Sequence, residues 1–263
     1  MNSLTIYFSS HLPEAITPKF RDLVQRAELL SMELAVDGQK ATEYERIINE
    51  VCNGERDPED AVNTHSLFHA FTIKLLEFLH NSKKPVVFEK SPITENDERN
   101  TQFLSKQAFD YWRKADTDNA ISKFEQYEIA FSSQIVSRDT AYAEQLHKLL
   151  SNGNTRILSI RGSLHSQTLP ALLQARKIEF ESVLFRVPYI LSKQEEVIVK
   201  IIHGESPTKE DIALCFIQQD LEGLIPDYET KLKVKEKLSA MSSEDISRYI
   251  QAKQTSNSAT KGI

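Results

Sequence analysis

Thr155-Arg-Ile-Leu-Ser-Ile-Arg-Gly-Ser-Leu-His-Ser-Gln-Thr-Leu-Pro-Ala-Leu-Leu-Gln-Ala-Arg-Lys-Ile-Glu-Phe-Glu-Ser-Val-Leu-Phe185 is the stretch whose reading decides the fold. Ile157, Leu158 and Ile160 form a short apolar run, and Gly162 ends it. His165 follows where a helix is about to begin. Leu169, Leu172 and Leu173 then give a helical stripe, and Ile178, Phe180, Val183, Leu184 and Phe185 return as a second strand. Both runs are short and apolar enough for burial on two faces, as in a parallel sheet crossed by helices. Ligands of such sheets sit beyond the carboxyl ends of the strands. Gly162-Ser-Leu-His165 falls at that place.

Working outward, the same alternation recurs. Leu4–Phe8 predicts a strand followed by Ser9, Ser10 and His11. Thr17-Pro18 predicts a helix start, with Thr as N-cap and Pro in the first turn, running to about Arg26. Leu29–Val36 predicts the second strand, with Glu33 inside an apolar run. A helix around Tyr44, Ile47, Ile48 and Val51 is expected to end at Gly54, and Asp57-Pro58 to open a longer one reaching about Asn81. Pro85–Phe88 is the third strand, closed by Glu89. After a polar stretch, Phe103 to Trp112, Ile121 to Phe131, and a segment opened by Arg138 and Asp139 predict three further helices. Beyond Phe185 the pattern stays helical.

This order predicts an α/β fold: a mostly parallel sheet with helical crossovers and an extra helical C-terminal region. The expected organisation is an α/β domain over 1–190 with a helical insertion, a helical extension over 191–253 packed on it, and a disordered tail over 254–263, where residues are small and polar.

The 263 residues are 40% hydrophobic and 27% charged, enough apolar material for a sizeable core. A net charge of -6 without a basic stripe argues against nucleic acid and against an anionic membrane surface. No apolar stretch has the length of a bilayer span, so membrane insertion is not expected. The amino terminus has neither the early basic residues nor the apolar core of a secretory signal. Cys52 and Cys215 alone build no disulfide scaffold. The expectation is a cytoplasmic protein; a homo-oligomer stays compatible with the sequence.

The polar residues at the predicted strand ends point to chemistry. His11 follows the first strand, Glu33 lies near the end of the second, Glu89 ends the third, and His165 follows the fourth. In a parallel sheet these ends share one edge, where two imidazoles and two carboxylates meet. Such a set suits a divalent metal, held by His11, Glu33 and His165, or acid–base work on a substrate. A lone His after a strand is more often a turn residue; the common edge is what strengthens these four. His65 and His69 share a helix face but lack the Glu of H-E-x-x-H, and the surrounding Phe68, Phe71 and Leu75 suggest packing. Tyr111 and Trp112 read as core or interface.

Four segments carry a family resemblance. Gly162-Ser-Leu-His165 matches a G-x-x-H motif, Arg138 precedes it, and Arg26-Ala-Glu-Leu-Leu-Ser-Met-Glu33 carries an acid after the second strand. Phe8-Ser9-Ser10-His11 keeps the His of a first such motif, with Phe in the Gly place. Over Leu4–Phe185 the chain resembles the TraB/PrgY and Tiki group, a superfamily that also takes in erythromycin esterase and ChaN. The resemblance implies an α/β domain with His and Glu gathered at one cleft. Some members are metal-dependent peptidases, one branch opens macrolide esters, and ChaN-like members are tied to haem or iron. It implies a hydrolase of a peptide or ester bond, with a small-molecule or peptide substrate. His11, Glu33, Arg138 and His165 would act at the reacting centre, Arg138 on an acidic group or oxyanion, while Glu89, Ser10 and Gly162 would line the substrate. Phe8 supports the other reading, a binding protein that keeps the scaffold without turnover and uses the helical tail as partner surface.

Overall fold

The computed structural model describes residues 3–9, 15–33, 38–64, 70–153, 155–185, 192–222 and 228–260. The chain divides into two compact units. The first comprises residues 1–95 and 136–189, the second 96–135 and 190–263.

The first unit is built on five parallel strands: β1 (Ser3–Ser9), β2 (Leu29–Met32), β3 (Val86–Phe88), β4 (Arg156–Gly162) and β5 (Glu181–Leu184), in the order β3-β2-β4-β1-β5. This is the expected α/β architecture. Register pairs Ser9 with Gly162 and Met32 with Ile160, so the carboxyl ends of β1, β2 and β4 lie level. After β1 and β2 the chain moves toward the β3 edge; after β4 it moves toward β5. Strand β4 therefore sits where the winding reverses, the place at which such sheets open a crevice.

Helix α1 (Pro18–Arg26) starts as its sequence dictates: the Thr17 hydroxyl accepts from the Phe20 amide, and Pro18 occupies the first turn. Helix α2 (Gly38–Asn53) ends at Gly54, whose φ of +78° suits glycine; a Cβ there would sit 1.9 Å from the Asn81 side-chain oxygen. Helices α3 (Pro58–Thr64) and α4 (Ala70–Leu79) follow. The longer helix expected from Asp57 onward is described only as these two, and His65 and His69 lie outside the described residues. One face of the sheet packs Tyr7, Leu30, Leu158 and Ile160 against Phe20, Ile48 and Leu75. Leu4, Ile6, Phe8 and Ile157 form the other core with Tyr142, Leu146, Leu169 and Leu173.

Helix α5 (Glu95–Arg113) and helix α6 (Thr117–Ser151) correct the sequence reading. Two separate helices were expected where α6 runs unbroken. Neither Gly nor Pro interrupts it, and Arg138-Asp139, which resemble a helix start, bond to partners in the tertiary structure instead. After β4 comes a 3-10 turn (Ser163–Gln167), then α7 (Leu169–Ala175).

The second unit contains α8 (Lys193–Ile202), α9 (Lys209–Glu222), α10 (Tyr228–Ser239) and α11 (Ser243–Thr260). It also takes residues 96–135, which the sequence reading had placed as an insertion of the α/β domain. Aromatic packing explains the regrouping. Trp112 of α5 stacks on Phe216 of α9 at 4.5 Å, Phe124 of α6 tilts against the same ring at 4.8 Å, and the indole N–H donates to Asp220. The tail expected to be disordered is helical through Thr260. Ser242 and Asp245 cap α11 reciprocally, and an already nucleated helix extends cheaply through small polar residues. Gln254 also donates to the Thr117 hydroxyl at 2.5 Å. Among the described residues no helix is long and apolar enough to cross a membrane.

Leu169 and Leu173 of α7 are fully buried, while Leu172 is only partly so. Truncating Leu173 to Ala removes transfer energy and leaves a cavity, and is expected to cost about 2–5 kcal/mol in urea unfolding. Leu172→Ala should cost clearly less; equal losses would show that α7 docks through a different face.

Candidate active site

Three strand ends and one helix meet at the carboxyl edge of the sheet. Glu33 directly follows β2, and its amide donates to the Ile160 carbonyl of β4. Glu89 directly follows β3, and its amide donates to the Met32 carbonyl of β2. Gly162 ends β4, and the 3-10 turn lifts His165 back over that end. Helix α6 crosses the same edge with Arg138, Asp139, Tyr142 and Gln145, residues that helical spacing places on adjoining faces. The Gln145 side chain fixes the β3 end, donating to the Phe88 carbonyl and accepting from the Lys90 amide.

His165 stands between two carboxylates. Its Nδ1 is 2.6 Å from Asp139 Oδ1, and its Nε2 is 2.9 Å from Glu33 Oε1. Arg161 Nη2 also lies 3.3 Å from Nδ1, but carboxylates at both nitrogens favour the imidazolium, which donates from each. The energetics agree. Burial opposes the charge on His165, but the Glu33 carboxylate offsets it, with the Asp139 bond adding to the effect, and the imidazole holds its proton to higher pH than an ordinary histidine. Burial would raise Glu33, yet His165, Arg161 and Arg138 hold it well below the usual carboxylate range. Arg138 Nη2 donates to Glu33 Oε1 at 3.0 Å, and the Gly162 amide donates to Oε2 at 2.6 Å.

Beneath this lies a second layer. Arg161, wholly buried, pairs with Glu89 through Nη1 and with Asp139 through Nη2 at 3.1 Å. Its guanidinium lies 4.2 Å over the Tyr142 ring, whose hydroxyl bridges Ser31 and Ser159 on β2 and β4. Thr168 donates to the remaining Asp139 oxygen, and Arg138 Nε bonds Glu89 at 2.8 Å. Among the described residues Arg138 bonds through Nε and Nη2 and not through Nη1, and the side chains of Arg138 and Glu33 keep 12% and 13% exposure. These two form the outward side of the cluster.

The structure thus brings together Glu33, Glu89, Arg138, Gly162 and His165. His11 and Ser10 lie outside the described residues. Phe8 is buried in the core with Tyr142 and Leu169. Sequence reasoning missed Arg161 and Asp139. A charge inside the apolar run of β4 was the available signal for the first, as Glu33 was in β2. Asp139 reads in the sequence only as part of a helix start.

Among the described residues, no group of three or more His, Cys, Asp or Glu is arranged to hold a metal ion. The donor chemistry gives the reason: both His165 nitrogens are already engaged with carboxylates, and Glu33 already bonds Arg138, His165 and Gly162. As arranged, Glu33 and His165 do not fit a divalent ion. No family model matches the chain, nor does any curated protein or solved structure.

Two measurements check this electrostatic account. Arg161→Met leaves Glu89 with Arg138 alone and Asp139 with His165 alone, one cation short, and should cost about 3–5 kcal/mol. The pH dependence has a definite sign. His165, raised above its unfolded value near 6.5, contributes fully below that pH and loses its contribution as pH rises through its folded value. Glu33, lowered from 4.5, contributes above that pH and loses it as pH falls through its folded value. The cluster is therefore expected to stabilise most between about pH 4.5 and 6.5, with His165→Gln losing stability less steeply than wild type as pH rises above 6.5 in urea unfolding. A His165→Gln profile parallel to wild type would refute the doubly bonded imidazolium.

Proposed function

We propose that this cluster is the active site of a hydrolase that opens an ester or peptide bond by acid–base chemistry. The observation that carries the reading is the His165 imidazolium held between Asp139 and Glu33, beside the unengaged Nη1 of Arg138, at the reversal point of the sheet. Buried charges are costly, and their convergence at a sheet edge is a mark of function. The resemblance to the TraB, Tiki and erythromycin esterase group supports the same chemistry.

In this reading the substrate carbonyl oxygen rests on Arg138 Nη1, which stabilises the oxyanion as it forms. His11, two residues beyond the Ser9 that pairs with Gly162, takes a proton from water, and the water oxygen bonds to the carbonyl carbon. When the carbon–oxygen or carbon–nitrogen bond breaks, the His165 Nε2 proton passes to the leaving group. Proton return from His11 to His165 restores the start. Glu33 aims His165, and its low proton affinity keeps it an anion throughout.

The alternative is a binding protein on the same scaffold. The completeness of the bonds around Glu33 favours it, together with Phe8 in the first motif. Arg138 would then grip an acidic or carbonyl oxygen without turnover.

Hydrolysis of a panel of chromogenic esters and peptides by chelator-treated protein separates the two. The enzyme reading expects turnover that Arg138→Ala and His165→Gln each reduce by about 10²–10³-fold while the urea transition remains cooperative. Turnover of every substrate at the level of these variants would leave binding as the function.

A further inference from the structure

The second unit contains a carboxylate that the proposed site does not use. Glu128, on α6, is fully buried, and neither of its oxygens has a hydrogen-bond partner. Ser132, one turn further on the same helix face, is also buried with its hydroxyl unpartnered. Elsewhere in this unit the buried polar groups are satisfied: Thr101 bonds Asp97 and Gln134, and Thr117 accepts from Gln254. Buried orphans are rare in folded proteins and ask for a reason.

Among the described residues no cation pairs with Glu128. On α6 the titratable group beside it is Tyr127, whose phenol is pushed up to about 12, first by burial and then by Glu128. From α8 comes Gln194, which donates to the Tyr127 hydroxyl at 3.2 Å; its amide also lies toward Glu128, short of hydrogen-bond geometry, and opposes the effect of burial without cancelling it. From α9 comes Cys215, whose thiol is directed at the Asp211 carbonyl and is pushed well up by burial, with Glu128 next. The other charges around Cys215 are already paired: Lys193 with Glu196 at 2.8 Å, and Asp211 with Lys200 at 2.8 Å. From α5, Phe109 packs edge-on against Phe124. An isolated carboxylate in such surroundings takes up a proton rather than keep its charge.

We infer that Glu128 is a proton-operated switch in the helical unit: neutral, it is tolerated between α6, α8 and α9, and ionised, it is an unpaired buried charge that loosens their packing. A proton on Glu128 also furnishes a donor for Ser132, since side chains at this spacing are neighbours on a helix. Burial places the transition within reach of ordinary pH changes, pushing the Glu128 carboxyl up to about 8. Between the unfolded value of 4.5 and that point, the folded unit binds a proton that the unfolded chain does not. Stability therefore falls as pH rises across this window and levels off above it.

Trp112 is the only tryptophan of the chain and stacks on Phe216 in this unit, so its fluorescence reports unfolding there. Urea transitions of the full chain, wild type against Glu128→Gln, should be followed by this signal from pH 5.5 to 9. Relative to the variant, the wild-type unfolding constant should rise about tenfold per pH unit up to pH 7.5 and plateau above about 8.5. Parallel profiles would overturn the inference. Carbon-13 spectra of glutamate-labelled wild type decide the matter even if the variant fails to fold. One carboxyl carbon titrating near pH 8 is expected, and spectra in which no glutamate carboxyl titrates near pH 8 would overturn it.

Discussion

A guanidinium with no access to water constrains the whole α/β unit. Arg161 sits in the middle of the sheet, on the face where α6 packs, and cannot shed its charge. It must be met by carboxylates from elsewhere in the chain, and the nearest lie at the end of β3 and on α6. Glu89 and Asp139 supply them, so one side chain fixes where β3 stops relative to β4 and how α6 is rotated above both. Tyr142 completes the seat with its ring under the guanidinium and its hydroxyl on Ser31 and Ser159, the two small polar residues that leave room for it within β2 and β4. Helix rotation then decides the rest: with Asp139 inward, Arg138 turns to the rim, where it reaches Glu33 and Glu89 together.

That order of dependence accounts for how much could be read from the sequence. Glu33, Glu89, Gly162 and His165 were legible because each is polar or small at the boundary of an apolar run, and boundaries of parallel strands share an edge. Their convergence followed from topology alone. Arg161 was harder because a long side chain at the end of an apolar run is ordinarily assumed to reach solvent; only the tertiary structure shows that it is enclosed. Asp139 was lost to a local pattern: Arg-Asp before an apolar stripe resembles a helix start, and nothing in the sequence distinguishes a cap from a buried ion pair. The same limit applies to the domain organisation. Periodicity shows that α5, the first half of α6 and the C-terminal helices each carry an apolar stripe. Which stripes share a core depends on ring geometry, such as Trp112 against Phe216, that no spacing encodes.

The two units meet the cost of a buried carboxylate in opposite ways. At the sheet edge, Glu33, Glu89 and Asp139 face Arg138, Arg161 and His165, three anions against three cations once the imidazole is protonated. The charges are balanced, and each is bonded, which is the condition under which a buried ionic cluster is sustained. The balance also makes His165 the variable member. The guanidiniums cannot release a proton and the carboxylates have cations beside them, so any proton that leaves the cluster leaves from the imidazole, turning a neutral site into one with a net negative charge. In the helical unit Glu128 has no counter-charge to call on, and neutrality is restored by the proton itself. The same desolvation penalty is therefore overcome at Glu33, held low by the cations around it, and prevails at Glu128, which has none among the described residues. Helix α6 carries both solutions: Glu128 lies among apolar helices, and Asp139, three turns further along, lies against strands that end in charge.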